Sequence, residues 1–301
     1  MMKDPIRNAS FEPEKGMPTF IKKAAIALSM LPITVFAEAD FKQIAEFAIP
    51  EASQGVAVDK DYFYAVDNRA IAKYRKDSGK LVNRWQHNAS GPFIHLDSAV
   101  VHNGKIYAAH SNWPRLPISS SIEVWNAGTL QHIRTYRYDR AEWGSLTWLD
   151  FHDGSWWGTF AHYDDVGPDG KAYGGGKIKS SLAKFDADWN IIKSWTFPAE
   201  ILKKFGVMSN SGGSWGPDGF LYVTGHDQAE IYKMEVPDAG TVLEWVDTQP
   251  LNIRGQGIAW DRHEVNVLYG IIRATDQEIN QGASNKVVVF QFGITSIRSQ
   301  Q

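Results

Sequence analysis

The chain of 301 residues contains no cysteine. That excludes a disulfide framework, a thiolate-held zinc or iron–sulfur centre and a thiol nucleophile. It also lacks clustered positive charge. Lys and Arg are scattered and the formal net charge is −3, so the basic footprint of a nucleic-acid binder is absent and no such partner is expected. No apolar run reaches the ~20 residues that a membrane-spanning helix needs. There is no Gly-rich phosphate loop of the nucleotide-binding kinds. What is abundant points elsewhere: twelve tryptophans and 26 glycines in a chain that is 43% hydrophobic favour many short strands joined by tight turns.

The N-terminal region reads as an address. From Met17 the chain runs through Lys22-Lys23, the apolar stretch Ala24 to Phe36, and Ala37-Glu38-Ala39. A basic segment, an apolar core and an A-x-A site make up a secretory signal peptide. Residues 1–39 are therefore expected to be a leader with an upstream extension, and the mature chain to begin at Asp40, in a secreted or periplasmic location. No second hydrophobic segment follows, so no membrane insertion is expected after cleavage.

Internal repetition then dominates. One unit reads Gln54 to Val58, Tyr62 to Val66, Ile71 to Tyr74 and Lys80 to Trp85, with reversals at Asp67-Asn68 and Asp77-Ser78-Gly79. Similar units open at Asp97, Thr147, Gly212 and Gln256, a spacing of about 50 residues that signals a repeat architecture. The fifth unit ends one strand short. Phe41 to Ile49, which precedes the first unit, has the character of the missing fourth strand. An all-β, five-bladed propeller over residues 40–294 is expected, with that N-terminal strand completing the last blade, and residues 295–301 as a tail. A β-sandwich would not call for a last strand supplied from the start of the chain. One short helix is expected between the third and fourth blades, from Pro198 to Gly206. Trp85, Trp125, Trp195 and Trp245 recur in outer strands and are expected to pack between blades.

The segments Gln54-Gly55-Val56-Ala57-Val58-Asp59 and Gln256-Gly257-Ile258-Ala259-Trp260-Asp261, with Leu221-Tyr222-Val223-Thr224-Gly225, resemble the secreted β-propeller superfamily that includes TolB-like, YVTN-type and cycloisomerase-like repeats. The resemblance spans residues 41 to 292. It implies the fold and export, and it carries over no catalytic residue.

In a propeller the links between blades and the loops between second and third strands open on one face. The first set brings Gln54, His95 and Asp97, Ser145 and Thr147, Asn210 and Ser211, and Arg254 and Gln256 to that mouth. The second brings Asp67 and Asn68, His110 to Asn112 with Trp113, His162 to Asp164, His226 and Asp227, and Arg273 to Asp276. His102 and His152 fall on the opposite face and read as turn residues. The mouth is thus expected to hold a polar site, with Gln54, Asp97, Asn112, Thr147, Asn210, Asp227, Arg254 and Gln256 contacting a small-molecule or carbohydrate ligand and Trp113 stacking on it. His110, His162 and His226, with Tyr163 as acid and Arg273 as anion stabiliser, are the catalytic candidates. The same three histidines are also the candidate ligands of one divalent metal ion. Asp97 and Asp150 are a second candidate pair, for glycoside hydrolysis. A lyase, isomerase or hydrolase acting on a polar or acidic small molecule or sugar is the expected class. A binding module for sugars or peptides is the alternative. The loop over residues 163–179, rich in Gly, is a candidate lid.

Overall fold

A computed structural model describes residues 38–138, 140–167 and 170–295. The expected leader, apart from Glu38 and Ala39, and the tail beyond Thr295 lie outside the described residues, as do Pro168 and Asp169 of the candidate lid.

Twenty strands form five antiparallel four-stranded sheets. In the last blade β1 (Glu38–Ala48) lies at the outer edge. Blade 1 holds β2 (Gly55–Val58), β3 (Tyr62–Asp67), β4 (Ala70–Arg75) and β5 (Leu81–Gln86). Blade 2 holds β6 (His95–His102), β7 (Lys105–Ser111), β8 (Ser120–Asn126) and β9 (His132–Tyr138). Blade 3 is β10 (Ser145–His152), β11 (Ser155–Ala161), β12 (Ser181–Phe185) and β13 (Ile191–Thr196). Blade 4 is β14 (Gly212–Trp215), β15 (Leu221–Thr224), β16 (Glu230–Glu235) and β17 (Glu244–Pro250). Blade 5 comprises β18 (Ala259–Trp260), β19 (Val267–Ile272) and β20 (Lys286–Thr295), and β20 pairs with β1 from Glu38↔Thr295 to Ala48↔Lys286. The N-terminal strand thus supplies the fourth strand of the last blade, so the strand that precedes blade 1 and the last strand of blade 5 share one sheet.

Each blade runs from a buried inner strand to an exposed outer one, and the sequence follows that gradient. β2 is Gly-Val-Ala-Val and buried throughout, whereas β5 is Leu-Val-Asn-Arg-Trp-Gln and largely exposed. Five buried apolar clusters fill the five gaps between neighbouring blades. Burial of these faces is the main stabilising term. α1 (Ala199–Lys204) is the expected strut: Ile201, Leu202 and Phe205 join the cluster between blades 3 and 4. A second helix, α2 (Asp276–Asn280), was not expected; Thr275 and Glu278 form a capping box at its start. Among the described residues no helix is long and apolar enough to cross a membrane.

Of the outer-strand tryptophans, Trp125 and Trp195 are buried and Trp85 is half-buried, its ring 4.9 Å from that of Trp125. Trp245 departs from the expectation: it is 42% exposed. Its indole N–H turns back to Asp247 O and Thr248 Oγ1 on its own strand, and in the ladder it stands opposite Met234 beyond the bulge, whereas Trp85 and Trp195 stand opposite Ile71 and Leu182 before theirs.

The inner strands adjoin in order around the axis, with β18 beside β2. Gly55 allows a close approach there. A Cβ there would lie 3.0 Å from Ser98 Cα and 3.3 Å from Gly257 Cα, so three blades meet at the axis through residues with little or no side chain. The residues immediately before these three are Gln54, Asp97 and Gln256. The axial contact is therefore the floor on which a mouth site sits.

Candidate functional site

Above that floor the inter-blade links and the second-to-third-strand loops enclose a cavity of about 390 Å³. Its deepest acid is Asp97, 3% exposed, at the start of β6. Two residues earlier on the same strand stands His95, whose Nε2 lies 3.5 Å from Asp97 Oδ2. The other ring nitrogen of His95 contacts Asn68 Oδ1 at 2.5 Å, and Gln54 Nε2 donates to the same oxygen at 3.3 Å. With Asn68 Oδ1 the acceptor of both, His95 carries its proton on Nδ1 and presents Nε2 to the carboxyl of Asp97. Burial pushes Asp97 above the ordinary carboxylate range, against the opposing pull of His95, His226 and Arg273. Among the described residues its Oδ1 has no hydrogen-bond partner. The pair can hold one proton between them and offer it to, or accept it from, whatever occupies the cavity.

The wall is aromatic on the side of blades 2 and 3. Trp113 lies 5.4 Å from His95 and 6.2 Å from both Tyr163 and Tyr173, centroid to centroid. Asn112 braces the loop that carries Trp113, its side chain bonding Pro117 O and the Ser119 N–H. Tyr163 and Asp165 arrive on the long loop of blade 3, which is tied down by Asp164 and Asp165 N–H groups donating to Val207 O. Met208, just past that carbonyl, lines the cavity too. Burial and then the charge of Asp97 push the Tyr163 phenol up, so it stays protonated and acts as a donor.

The opposite rim carries the cavity's arginine. Arg273 Nη2 sits 3.3 Å from both ring nitrogens of His226 and 3.2 Å from Asp227 Oδ1. Asp227 Oδ2 meets His226 Nδ1 at 2.7 Å, and these two partners hold its carboxyl below the usual range, the histidine contact first. Arg254 stands behind this rim, donating to Arg273 O and pairing both its terminal nitrogens with Glu278. Two further polar atoms of lining residues are buried without partners, Trp113 Nε1 and Gln256 Nε2. Buried donors of this kind are costly unless a ligand or water meets them.

Seven of the expected site residues line this cavity: Gln54, Asp97, Trp113, Tyr163, His226, Gln256 and Arg273. The others support it or lie elsewhere. Asn112, Asp227 and Arg254 stand behind lining groups as described. Thr147 is buried in β10 and bonds Thr159 O. Asn210 is buried too, accepting from Trp148 Nε1 and donating to Gly212 O and Thr224 O, so every position of its amide is engaged in joining strands.

The three histidines do not meet. His110 turns away from the axis into a separate cavity of about 210 Å³ between blades, beside Phe93, Glu123 and His132. There its Nε2 accepts the Ile94 N–H and its Nδ1 bonds Ser121 Oγ at 2.8 Å, with Ser121 in turn donating to Glu123. His162 is buried and does not line the mouth cavity, while His226 does. Among the described residues no three His, Asp or Glu side chains are grouped to hold a metal ion, so the expected three-histidine ligand set does not fit. His110 lies within β7 rather than in the loop beyond it, and strand alternation puts its side chain on the face of Ile106 and Ala108, which packs in the gap between blades 1 and 2. His110 touches the site indirectly, by holding the backbone of Ile94 next to His95.

Asp150 also moves out of the site. It is buried at the far end of the axis, where it accepts from Ser214 Oγ, Trp215 N–H and Arg262 Nη2, and so cannot partner Asp97. Five lining residues were outside the expected set: Asn68, His95, Asp165, Met208 and Ser211. Asn68, His95 and Ser211 already mapped to the mouth face, and the spacing of His95 to Asp97, two residues on one strand, was the available signal. Asp165 and Met208 are brought in by a long loop and a post-helix turn that carry no such signal.

No known family profile matches the chain, and no curated protein does. Solved structures do. A glutaminyl cyclase from Myxococcus xanthus is similar with a TM-score of 0.53 at 10% identity, covering 85% of this chain and 97% of that one. A luciferin-regenerating enzyme gives 0.50 at 13% identity, with 84% and 95% covered. The PQQ-bound aldose sugar dehydrogenase of Streptomyces coelicolor gives 0.50 at 10% identity, with 85% and 99% covered. These likenesses establish the propeller fold, which enzymes of different chemistries share.

Proposed function

We propose that the protein is an exported enzyme that binds a small polar molecule in the mouth cavity and moves a proton on it, as a lyase, isomerase or hydrolase. Asp97 and His95 form the acid–base pair. The observation that carries this reading is the buried Asp97 carboxyl with one oxygen unpartnered and the other 3.5 Å from His95 Nε2. A carboxyl displaced upward in a cavity, beside an imidazole, is an arrangement suited to general acid–base catalysis. Arg273 offers positive charge to an anionic group or to negative charge that develops on the substrate, and Tyr163 offers a neutral O–H donor. The leader pattern of residues 17–39 supports export.

The test uses deuterium. The purified protein is incubated in D₂O with panels of hydroxy acids, lactones, sugars and amino acids, and proton NMR reads conversion or loss of C–H signal. A substrate is expected among them, and Asp97→Asn is expected to slow its reaction by about 10²- to 10⁴-fold while ligand binding persists. A ligand that binds tightly yet is neither converted nor exchanged makes the cavity a recognition module instead. An undiminished rate in Asp97→Asn removes the acid–base assignment.

A further inference from the structure

The charges around the mouth are sorted by blade. Asp97 stands on β6 of blade 2 and Asp165 on the long loop of blade 3, together with the rings of Trp113 and Tyr163. Arg273 stands on the β19–β20 connection of blade 5, with Gln256 on the link that leads into that blade. In a ring of five, the gap between blades 2 and 3 is directly opposite blade 5. The cavity lining therefore has its acids and aromatic rings on one side and its arginine on the other.

Each side has spare capacity. Asp97 Oδ1 is buried and unpartnered. Asp165 Oδ1 accepts only the adjacent Val166 N–H, and the carboxylate has no cationic partner among the described residues. Trp113 and Tyr163 flank these acids with centroids 6.2 Å apart, and aromatic faces beside carboxylates attract an ammonium group. Across the cavity the Arg273 contacts to His226 and Asp227 run through Nη2, which leaves Nε and Nη1 for a carboxylate. Gln256 Nε2 adds an unpartnered donor on that side. The Asp227 that shares Arg273 is itself 65% exposed in its side chain, so a ligand carboxylate competes with a solvent-screened partner.

We propose that the ligand is a small zwitterion of the amino-acid type, with its ammonium held by Asp97, Asp165 and the two rings and its carboxylate by Arg273 and Gln256. This deepens the enzymatic reading and rests on it for the identity of the site. A volume of about 390 Å³ admits a single molecule of that size. A hydroxy acid would leave the two carboxyls facing a neutral hydroxyl, and a sugar would leave both charged sides unpaired. The dipole of a zwitterion matches both at once.

Matched triplets provide the experiment. Calorimetry on the whole protein compares leucine with 2-hydroxyisocaproate and isoamylamine, and phenylalanine with 3-phenyllactate and phenethylamine. The amino acid of at least one triplet is expected to bind tenfold or more tightly than either half-charged analogue. Arg273→Gln is expected to weaken the amino acid and the hydroxy acid about tenfold and to leave the amine unchanged; Asp165→Asn is expected to weaken the amino acid and the amine and to spare the hydroxy acid. Both side chains reach solvent, and circular dichroism verifies that each variant is folded. A hydroxy acid that binds as well as its amino acid, variants without this crossed selectivity, or no binding by either amino acid overturns the proposal. The deuterium assay separates the two readings. A hydroxy acid or sugar turned over with dependence on Asp97 keeps the acid–base site and refutes the zwitterion. An amino acid bound with crossed selectivity but never exchanged keeps the zwitterion and refutes the catalysis.

Discussion

Asp150→Ala is expected to lower the unfolding free energy by about 3–4 kcal/mol, the range for breaking a buried charge pair with its hydrogen bonds. The carboxylate is buried in β10 and accepts from blade 4 through Ser214 Oγ (2.9 Å) and Trp215 N–H (2.8 Å) and from Arg262 Nη2 (2.7 Å), which follows β18 of blade 5. Its other oxygen takes the Phe151 N–H. One side chain thus ties three blades together at the end of the axis away from the cavity. Alanine leaves a buried backbone N–H and a buried hydroxyl without that acceptor, and a guanidinium without its counter-charge. Urea denaturation reads the change directly. A loss under about 1 kcal/mol, the range of a surface ion pair, would show that the junction is held by apolar contact alone.

Acid is expected to weaken the fold through His110. Burial lowers this histidine to about 4, against the opposing charge of Glu123, with His95 and Arg137 also disfavouring its protonation. The sign follows from which state holds the proton. Below an unfolded value of about 6.5 the unfolded chain takes up a proton that the folded chain refuses, so stability declines as pH falls from about 6.5 and stops declining on this account below about 4. The full effect is of the order of 3 kcal/mol. Protonation would also remove the acceptor for Ile94 N–H, since His110 Nε2 holds it in the neutral form. His110→Gln can keep an acceptor and a donor without titrating. Its unfolding free energy is expected to be flatter than the wild type's between pH 6.5 and 4, and parallel curves would contradict the assignment.

The architecture was legible because it repeats. A strand that is buried on both faces must be small and apolar, as Gly55 to Val58 are, and one at an outer edge tolerates Asn83 and Arg84; five recurrences of that gradient leave few folds open. The single-strand deficit of the fifth unit and the unclaimed Phe41 to Ile49 segment led to the pairing of β1 with β20. Sorting loops by face also placed most of the cavity's lining residues at one end, since propeller connectivity alone assigns each turn to one end. Which side chains point inward was less accessible. Asp97 lies in the bulge between Leu96 and Ala99, which no residue type announces, and His110 falls inside β7 on the face of Ile106 and Ala108 rather than in the loop beyond. Asp150 had the right chemistry and the wrong end of its strand: five residues along β10 from Ser145 separate the mouth from the far side of the axis. His95 was in view at the mouth and undervalued, because its role depends on Asn68, 27 residues away, fixing its tautomer. Trp245 does not pack as Trp85 and Trp195 do because it occupies a different position of its ladder, beyond the bulge in β16.

The central claim is that Asp97 is a proton carrier in the mouth cavity. Carbon-13 NMR of the protein labelled at aspartate carboxyls, with Asp97 assigned by its absence in Asp97→Asn, measures its titration directly. The account predicts a midpoint clearly above the ordinary aspartate value of about 3.9, because burial outweighs the pull of His95, His226 and Arg273. A midpoint at or below that value would mean a permanently ionised carboxylate, fit to hold a ligand and unable to give it a proton.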